Sequence, residues 1–516
     1  MLYSVIPNVP NSMGMPNWVK PVCAVAVTTL ALASVLVALG HMSHSVWYDE
    51  SQSHQYASQS TLGRMTTLAM QDRSYPPLFF LAVRYSLQMR DDEVGLRLPA
   101  AVFGALTLLA VYSLGTELAG SVAGAIAAFL LVLTPGAFRY FVDGNAYTLL
   151  MLVSTLSTLY LLRAARSDAL VDWALFALCA LVGLGTHPLF VLHLGAQVIA
   201  GIWLRTKALP PATHSYVRLL VVAGLLAGAE LLWRVFYAHS GGRVLPVKWS
   251  TLFEPGTFVA MAGLYCGPQS FGGIVQLLLW GVMQAFGLYA LYRMGRDRFW
   301  AVTVLIAVPL VAVPILAKLT LPYVAYRYGL GIFPLACVVA ACSWKAWSER
   351  VVAQAAIASV ILVYWLAGAA SIARAGENTF GYQDWRGAAR YLKQRFSAND
   401  AVFVVHEANL LPFRYYWKES EPVTMGTDIG VSSDQIARTA SSAGTPAPRA
   451  WIVLSTFANE NALVARFTES RRQRIESWVG RLAEAIQQHG LRVCRTESFQ
   501  RVKVVEVRRG GCEEAP

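Results

Sequence analysis

The sequence is dominated by apolar runs of about 20 residues, which recur from the N-terminus to residue 373. A run of this length crosses the hydrocarbon core of a bilayer as an α-helix, because ~20 residues at ~1.5 Å each span ~30 Å. Of the 516 residues, 56% are hydrophobic and 14% are charged. A soluble protein carries about a quarter charged residues. The chain is therefore predicted to be mainly α-helical and to cross a membrane many times.

The predicted spans number about eleven. They are 21–40, 97–116, 119–136, 145–162, 170–186, 188–204, 217–238, 272–292, 299–317, 327–344 and 351–373. The fifth and sixth spans meet at Thr186-His187-Pro188, and dividing them there keeps the basic loops on one side of the membrane. With the N-terminus in the cytoplasm, each short cytoplasmic loop is basic except the turn at Glu117–Ser121, which has no Lys or Arg. The basic cytoplasmic loops are Arg163–Arg166, Arg205–Lys207, Arg293–Arg298 and Lys345–Arg350.

The same topology predicts two domains. Residues 1–373 form the transmembrane domain, whose long outer segment 41–96 is expected to hold helices lying along the membrane surface. No basic region precedes the first apolar run, so this run is expected to remain as a helix rather than to be cleaved as a signal. Residues 374–516 follow on the outer side of the membrane. The net charge of +12 fits loop orientation and anionic headgroups, and it does not indicate nucleic acid.

The residues after 373 alternate between helical and strand-like segments, which predicts a small α/β domain with a largely parallel sheet. Helices are predicted at 382–396, 433–441 and 471–489, and the first of these has Trp385 and Leu392 on its inward face. Strands are predicted at 401–406, 450–454, 491–496 and 501–508. No glycine-rich nucleotide-binding fingerprint accompanies them. Cys494 and Cys512 would both lie outside the cytoplasm, and their spacing leaves open whether they pair.

Ionic side chains beside the apolar runs are the candidates for chemistry. Asp49 and Glu50 stand side by side after the first span, and Asp143, His187 and Arg327 interrupt or border later spans. Charged groups at a membrane are costly unless they pair, bind or react. The predicted topology places all of them on the outer side, whereas random placement would scatter them over both sides.

Each of these residues also has a structural interpretation. The two carboxylates could cap a surface helix, whereas an ionised Asp49 could act as a general base. Asp143 could interact with the dipole of a helix N-terminus, and a single His187 is more often a hydrogen-bonded structural residue than a ligand. Arg327 could reach lipid headgroups, or it could bind a phosphate with its planar guanidinium.

Six segments together carry a resemblance to a known family. These segments are Tyr48–Glu50, Tyr75–Phe80, Gly95–Gly104, Asp143–Tyr147, Thr186–His187 and Arg327–Tyr328. Over residues 40–345 the chain resembles the polytopic glycosyltransferases of the GT-C superfamily, close to the protein O-mannosyltransferase and lipid A aminoarabinose transferase group. The likeness continues more loosely through the C-terminal domain. Many relatives have an arginine at the position that Asn145 occupies here.

What the resemblance implies is transfer of a sugar from a dolichyl- or undecaprenyl-phosphate carrier to a lipid, glycan or protein acceptor on the outer face of a bacterial inner membrane. The reaction would invert the anomeric carbon, with Asp49 as general base and Arg327 at the leaving phosphate. Glu50 and Asp143 would orient the base or the acceptor, or would hold a divalent cation, since metal use differs among GT-C enzymes. The substrate-binding candidates are Tyr75, Arg97, Tyr147, His187, Arg327 and Tyr328.

Two other classes of protein compete with this interpretation. A transporter or flippase of lipid-linked sugars would account for the many spans, but it predicts an internal repeat and helices broken at the bilayer midplane, which the sequence does not indicate. A membrane scaffold that displays an α/β domain would leave the ionic residues without a role. Release of polyprenyl phosphate from a lipid-linked sugar would distinguish an enzyme from both.

Overall fold

The apolar runs form helices close to their predicted positions. The computed structural model describes residues 16–71, 76–206, 224, 271–320, 326–346, 351–373, 383–397, 400–405, 407–417, 423–426, 449–455, 484, 486–509 and 512. Within these residues the helices up to residue 206 are α1 (Val19–Gly40), α2 (Tyr48–Ala57), α3 (Leu62–Gln71), α4 (Leu78–Met89), α5 (Glu93–Ala119), α6 (Ser121–Val132), α7 (Pro135–Phe138), α8 (Tyr147–Ser167), α9 (Leu170–Leu184) and α10 (Phe190–Thr206). The later ones are α11 (Phe271–Met294), α12 (Arg296–Thr320), α13 (Phe333–Cys342), α14 (Val351–Ala373), α15 (Trp385–Lys393) and α16 (Glu407–Tyr416).

The chain divides into two units by its contacts. The first unit consists of Met1–Met42 and Tyr56–Arg374, and the second consists of Ser43–Gln55 and Ala375–Pro516. Part of the first outer segment therefore belongs to the same unit as the C-terminal residues. This segment also contains the helices α2, α3 and α4, and their placement along the membrane surface stays a prediction.

Three helices of the described residues are long and apolar enough to cross a bilayer, namely α1, α5 and α8. A fourth span results if α6 and the bent segment Pro135–Phe141, which meet at 69°, are taken together. The predicted span 217–238 lies outside the described residues apart from residue 224. The count of about eleven spans therefore stays a prediction.

The predicted break between the fifth and sixth runs is confirmed, since α9 ends at Leu184 and α10 begins at Phe190. Pro188 explains the break, because proline lacks a backbone donor and disfavours helical geometry in the residue before it. Gly183 allows the two helices to pack closely at the turn. A side chain there would meet the Phe190 ring at 2.5 Å. His187 is consequently held in a short, tightly packed turn.

The C-terminal residues form a five-stranded sheet in the order β2-β1-β3-β5-β4. The strands are β1 (Ala401–Val405), β2 (Val423–Gly426), β3 (Arg449–Ser455), β4 (Leu491–Phe499) and β5 (Val502–Arg509). Both faces of the sheet are covered. Val402 and Val404 pack with the buried face of α15, while Phe403 and Val405 pack on the opposite side with Ile486. The predicted inward face of α15, which includes Trp385 and Leu392, is confirmed as buried.

The prediction of a largely parallel sheet is wrong. β1 pairs in parallel with β2 and β3, but β5 pairs antiparallel with both β3 and β4. The reason is the connection between β4 and β5, in which two residues, Gln500 and Arg501, separate the strands. A connection this short joins antiparallel neighbours, whereas a parallel pair needs a long crossover. Arg501 adopts a φ of +57°, as tight hairpins require.

Cys494 and Cys512, whose pairing the sequence left open, form a disulfide with a Cα–Cα distance of 5.2 Å. It fastens the segment after β5 to β4, 18 residues earlier in the chain. We expect Cys512→Ser to destabilise the C-terminal unit by about 3 kcal/mol, because the disulfide limits the unfolded chain. Limited proteolysis of the full chain during heating would measure this loss. Cys23→Ser, at a cysteine that is free in the structure, is the control. Equal cleavage of both variants would contradict the expectation.

Candidate functional site

In the first unit, two predicted substrate-binding residues lie side by side, Tyr147 of α8 and His187 of the turn after α9. The rings of Tyr147, the first residue of α8, and His187 are 5.2 Å apart. Tyr140 packs edge-on against Tyr147 at 5.0 Å. All three residues are buried. Two of the predicted substrate-binding residues are therefore neighbours, and Tyr140 is an additional member that the sequence gave no signal to select.

His187 is held in one tautomer by its own turn. Its Nδ1 accepts a hydrogen bond from the backbone N–H of Leu189 at 3.1 Å. Burial, and to a lesser extent the charges of Arg327 and His193, lowers the pKa of His187 to about 3. The ring is therefore neutral at physiological pH. Because a neutral imidazole has one donor nitrogen and one acceptor nitrogen, Nε2 carries the proton and is a hydrogen-bond donor.

Arg327 lies close enough to His187 to act on it electrostatically. It is part of a 3-10 turn at Tyr326–Gly329, and its guanidinium lies 5.9 Å from the ring centre of Tyr328. Gly331 follows this turn and lets it approach α10, since a Cβ at that position would lie 2.3 Å from Nε2 of His193. The turn therefore places the charge of Arg327 within electrostatic reach of a neutral histidine whose Nε2 can donate a hydrogen bond.

Asp143 is fully buried in the short segment between the turn Arg139–Phe141 and α8. Its backbone carbonyl accepts from the N–H of Asn145 at 2.7 Å. The Oδ1 atom of Asn145 accepts from the N–H of Tyr147 at 3.2 Å, so Asn145 satisfies the first backbone donor of α8. The residue that departs from the family pattern thus has a structural role here. Gly104 gives this segment room, since a Cβ there would meet the Phe141 ring at 2.6 Å.

Of two other predicted substrate-binding residues, Arg97 lies within the described residues and Tyr75 does not. Arg97 is fully buried, and its Nη1 donates to the backbone carbonyl of Met42 at 2.5 Å, which fastens α5 to the end of α1. This contact gives Arg97 a structural role, and its binding of substrate stays a prediction. Tyr75 lies outside the described residues.

In the second unit, Asp49 and Glu50 occupy the first turn of α2. Glu50 is fully buried, and its Oε2 accepts from the backbone N–H of Trp47 at 3.3 Å, the reciprocal half of a capping box. Asp49 is 9% exposed, and its backbone carbonyl accepts from the Ser53 hydroxyl at 3.1 Å. Glu50 thus fits the structural interpretation of the acidic pair, and its neighbour Asp49 is also largely buried.

The residues just before these carboxylates are fastened to the C-terminal helices. The backbone N–H of Val46 donates to the Tyr416 hydroxyl at 2.7 Å. Arg386 donates from Nη1 to the carbonyl of Ser43 at 2.8 Å and from its backbone N–H to the hydroxyl of Ser45 at 3.1 Å. These partners are up to 370 residues apart in the chain. No sequence pattern links them, so Arg386 and Tyr416 could not have been selected from the sequence.

A polar cavity of about 190 Å³, open to solvent, lies beside this anchor. It is lined by Ser43, His44, Ser45, Gln383, Asp384, Arg386, Gly387, Arg390 and Gln500. Asp384 caps α15, since its Oδ1 accepts from the N–H of Gly387 at 2.7 Å. Arg390 is exposed and lies one helical turn after Arg386. The lining is therefore rich in hydrogen-bond donors, with two guanidinium groups.

The structure brings together Tyr147, His187 and Arg327 in the first unit, and Asp49 and Glu50 in the second. Asp143, a proposed cation ligand with Glu50, belongs to the first unit. Among the described residues, no three His, Cys, Asp or Glu side chains are placed to hold a metal ion.

One family model matches part of the chain. Residues 74–233 match the family model described as dolichyl-phosphate-mannose-protein mannosyltransferase. This region contains Asp143 and His187. The comparison with curated protein sequences gives no match.

Solved structures extend the likeness to nearly the whole chain. ArnT from Cupriavidus metallidurans in the apo state aligns with a TM-score of 0.57 and 14% identity, over 94% of this chain and 97% of that chain. The archaeal oligosaccharyltransferase AglB from Archaeoglobus fulgidus, in complex with an inhibitory peptide and a dolichol-phosphate, aligns with a TM-score of 0.52 and 11% identity, over 91% of this chain and 72% of that chain.

Arabinofuranosyltransferase AftD from Mycobacteria aligns with a TM-score of 0.51 and 14% identity, over 96% of this chain and 40% of that chain. At such identities the likeness is one of fold. All three proteins are GT-C glycosyltransferases. The predicted resemblance to this superfamily is therefore confirmed in fold, and the family model matches residues 74–233.

Proposed function

We propose that this chain, which is similar in motifs and in fold to the GT-C glycosyltransferases, transfers a sugar from a polyprenyl-phosphate carrier to an acceptor hydroxyl. The observation that carries the proposal is the cluster of Tyr147, His187 and Arg327. It supplies hydrogen-bond donors and one positive charge at a helix end, which is the chemistry that a phosphate requires. ArnT, whose fold this chain resembles, has been solved bound to undecaprenyl phosphate.

At the donor, Arg327 binds the lipid phosphate and stabilises the negative charge that grows as the sugar departs. His187 assists as a neutral donor through Nε2, and it does not have to lose or gain a proton during the reaction. Tyr147 and Tyr328 shape the headgroup site. Asp143, within the segment that precedes α8, orients the acceptor or the donor sugar.

At the acceptor, Asp49 is the general base. It takes the proton of the acceptor hydroxyl as the oxygen of that hydroxyl bonds to the anomeric carbon from the face opposite the phosphate. The bond between the anomeric carbon and the phosphate oxygen breaks, and its electron pair stays on the phosphate beside Arg327. The configuration of the anomeric carbon inverts. Glu50 is a positioning residue, because it caps the helix that carries Asp49.

The polar cavity beside Arg386 is our candidate for the part of the acceptor that is remote from the reacting hydroxyl. Its lining segment, Ser43–Ser45, precedes Asp49 by a few residues. The two guanidinium groups favour an acceptor that carries negative charge. We further propose that the C-terminal unit faces the outside of a bacterial inner membrane, since the disulfide Cys494–Cys512 suits an oxidising compartment.

A direct assay tests the function. Purified protein in lipid nanodiscs should release polyprenyl phosphate from a polyprenyl-phosphate sugar when an extract of envelope glycolipids and glycans is added as acceptor. Mass spectrometry of the products then identifies the sugar and the acceptor. Movement of the intact lipid-linked sugar across the bilayer without release of the phosphate would support a flippase instead.

Tyr416→Phe should lower kcat about tenfold and leave KM for the donor unchanged. The substitution leaves the N–H of Val46 without its acceptor, and a buried donor left unpaired costs about 1–3 kcal/mol. In this proposal, loss of the hydrogen bond at Val46 makes the segment before Asp49 more mobile, so Asp49 is positioned less well. The steady-state kinetics of the full chain measure the effect. Tyr391→Phe is the matched control, because among the described residues its buried hydroxyl has no hydrogen-bond partner.

The positioning role of Tyr416 also predicts non-additivity. In combination with Asp49→Asn, Tyr416→Phe should have no further effect on the rate, because the group that it positions is already gone. Additive losses in the double variant would contradict the positioning role of Tyr416.

A further inference from the structure

A second group of charged side chains lies at the other end of the first unit from Tyr147 and His187. We call Arg163, Arg166, Arg298 and Lys345, together with Glu117, the basic cluster. α8 runs from Tyr147 through Arg166, about 28 Å at ~1.5 Å per residue. This length is close to the thickness of the hydrocarbon core of a bilayer. The basic cluster and the donor residues therefore lie near opposite faces of the membrane.

The contacts of the cluster converge on one carboxylate. Arg166 forms an ion pair with Oε1 of Glu117, and Nε of Arg163 donates to Oε2 of Glu117 at 3.4 Å. Arg298 is 6% exposed, and its Nη1 donates to the backbone carbonyl of Leu118 at 3.4 Å. Lys345 is close enough to Arg298 for the two charges to repel one another.

Positive charge is in clear excess. Arg163 and Arg166 pair with Glu117, Arg298 lies within reach of its charge, and Lys345 lies near Arg298, so the named members of the cluster carry a net charge of +3. Two acids follow Arg166 closely in sequence. Asp168 accepts from Nε1 of Trp173, and Asp172 accepts from the hydroxyl of Ser167. Like charges that are withdrawn from water repel one another strongly unless an anion compensates them.

One donor of the cluster is buried without an acceptor. Nε of Arg166 is removed from solvent and has no hydrogen-bond partner among the described residues. A small cavity opens beside it, lined by Glu117, Leu118, Leu162, Arg166, Leu204, Arg298, Ala301 and Val302. The charged side chains are thus grouped with apolar side chains of α5, α8, α10 and α12. This combination fits a phosphate headgroup attached to an acyl chain better than a free anion.

We propose that the basic cluster is a binding site for the phosphate of an anionic phospholipid, in the membrane leaflet opposite the donor residues. Basic pockets between transmembrane helices bind acidic lipid headgroups by the same chemistry. A planar guanidinium suits a phosphate because it donates two parallel hydrogen bonds. The bound lipid would compensate the excess charge and hold the ends of α5, α8 and α12 together. This proposal does not depend on the sugar-transfer reaction.

The test uses the full chain in nanodiscs made with phosphatidylcholine, with or without phosphatidylglycerol. After detergent extraction, native mass spectrometry should show phosphatidylglycerol retained on the wild-type protein. The double variant Arg166→Gln/Arg298→Gln should retain about one tenth as much or less, since it loses two charge-assisted contacts. Arg293→Gln/Arg296→Gln is the matched control. It removes the same charge from exposed arginines that bond to Tyr289 and Tyr292, and it should retain the lipid.

A single variant guards against misfolding of the double variant. Lys345→Gln removes a cation that forms no ion pair among the described residues, and it should reduce lipid retention several-fold while the protein remains folded. Retention equal to the wild type in both Lys345→Gln and the double variant would overturn the proposal. Equal loss in the Arg293/Arg296 control would also overturn it, because it would show general attraction to the headgroups.

A final experiment distinguishes a lipid phosphate from free inorganic phosphate as the bound anion. Anionic lipid should raise the thermal stability of the wild-type protein, since a ligand that binds the folded state stabilises it, and it should not do so in the double variant. Inorganic phosphate at millimolar concentration should have no such effect. Equal stabilisation by inorganic phosphate and by lipid would assign the site to a free anion, and it would contradict the lipid proposal.

Discussion

Asp49→Asn should reduce sugar transfer to a small residual rate while the protein remains folded and inserted in the membrane. The neutral amide cannot take a proton from the acceptor, and a positioned general base contributes about 10²–10⁴ in rate. The substitution is nearly isosteric, and the Ser53 hydroxyl bonds to the backbone of residue 49 rather than to its side chain, so α2 should persist. Initial rates of polyprenyl phosphate release, measured at saturating donor, report the loss in kcat.

The neighbouring carboxylate provides the matched control for this experiment. Glu50→Gln also removes one negative charge, yet its amide oxygen can still accept from the N–H of Trp47 and preserve the cap. Its rate should fall much less than that of Asp49→Asn. Wild-type activity in Asp49→Asn, or an equal loss in Glu50→Gln, would refute the assignment of Asp49 as the base.

Arg327→Ala should lower the rate of transfer by about 10²–10³, as removal of a preorganised group that stabilises a developing oxyanion does. It should also weaken binding of free polyprenyl phosphate, because the guanidinium contacts the same group in the donor and in the product. Arg327→Lys should recover only part of both effects, since an ammonium cannot form two parallel hydrogen bonds. Product-inhibition kinetics with polyprenyl phosphate measure the binding and the rate together.

A second arginine of the first unit is the control for Arg327. Arg64 is exposed, and Arg64→Gln removes the same charge from a side chain that bonds to Ser60. This variant should transfer sugar at the wild-type rate. If Arg327→Ala binds polyprenyl phosphate as tightly as the wild type does, Arg327 is not the phosphate ligand.

The helices were largely predictable because their signals are local. A long apolar run forms a helix in a bilayer whatever its neighbours are, since backbone polar groups there have few other partners. Pro188 similarly stops a helix through its own ring, and the run on either side of it could be divided correctly. α15 shows the same principle in the C-terminal domain, where the spacing of Trp385 and Leu392 identified the buried face.

Strand pairing was harder to predict because it depends on partners that are remote in sequence. The short strand β2 carries few of the signals of a strand, and it is ordered through its pairing with β1. The direction of β5 was decided by the two-residue turn before it, whose geometry overrode the parallel pattern expected of alternating helices and strands. The pairing of Cys494 with Cys512 likewise follows from the positions of β4 and of the segment after β5, which the spacing alone left open.

The sequence by itself determined that this chain is a helical membrane protein with a small C-terminal domain, and its motifs indicated the superfamily. These properties follow from composition, periodicity and neighbouring residues, which are written along the chain. The tertiary structure decided which candidates are neighbours: His187 with Tyr147 and Arg327, and the segment before Asp49 with Arg386 and Tyr416. It also gathered the basic cluster around Glu117. Such groupings depend on how distant segments pack. Electrostatic interactions, hydrogen bonds and burial contribute free energy only once the side chains are in contact.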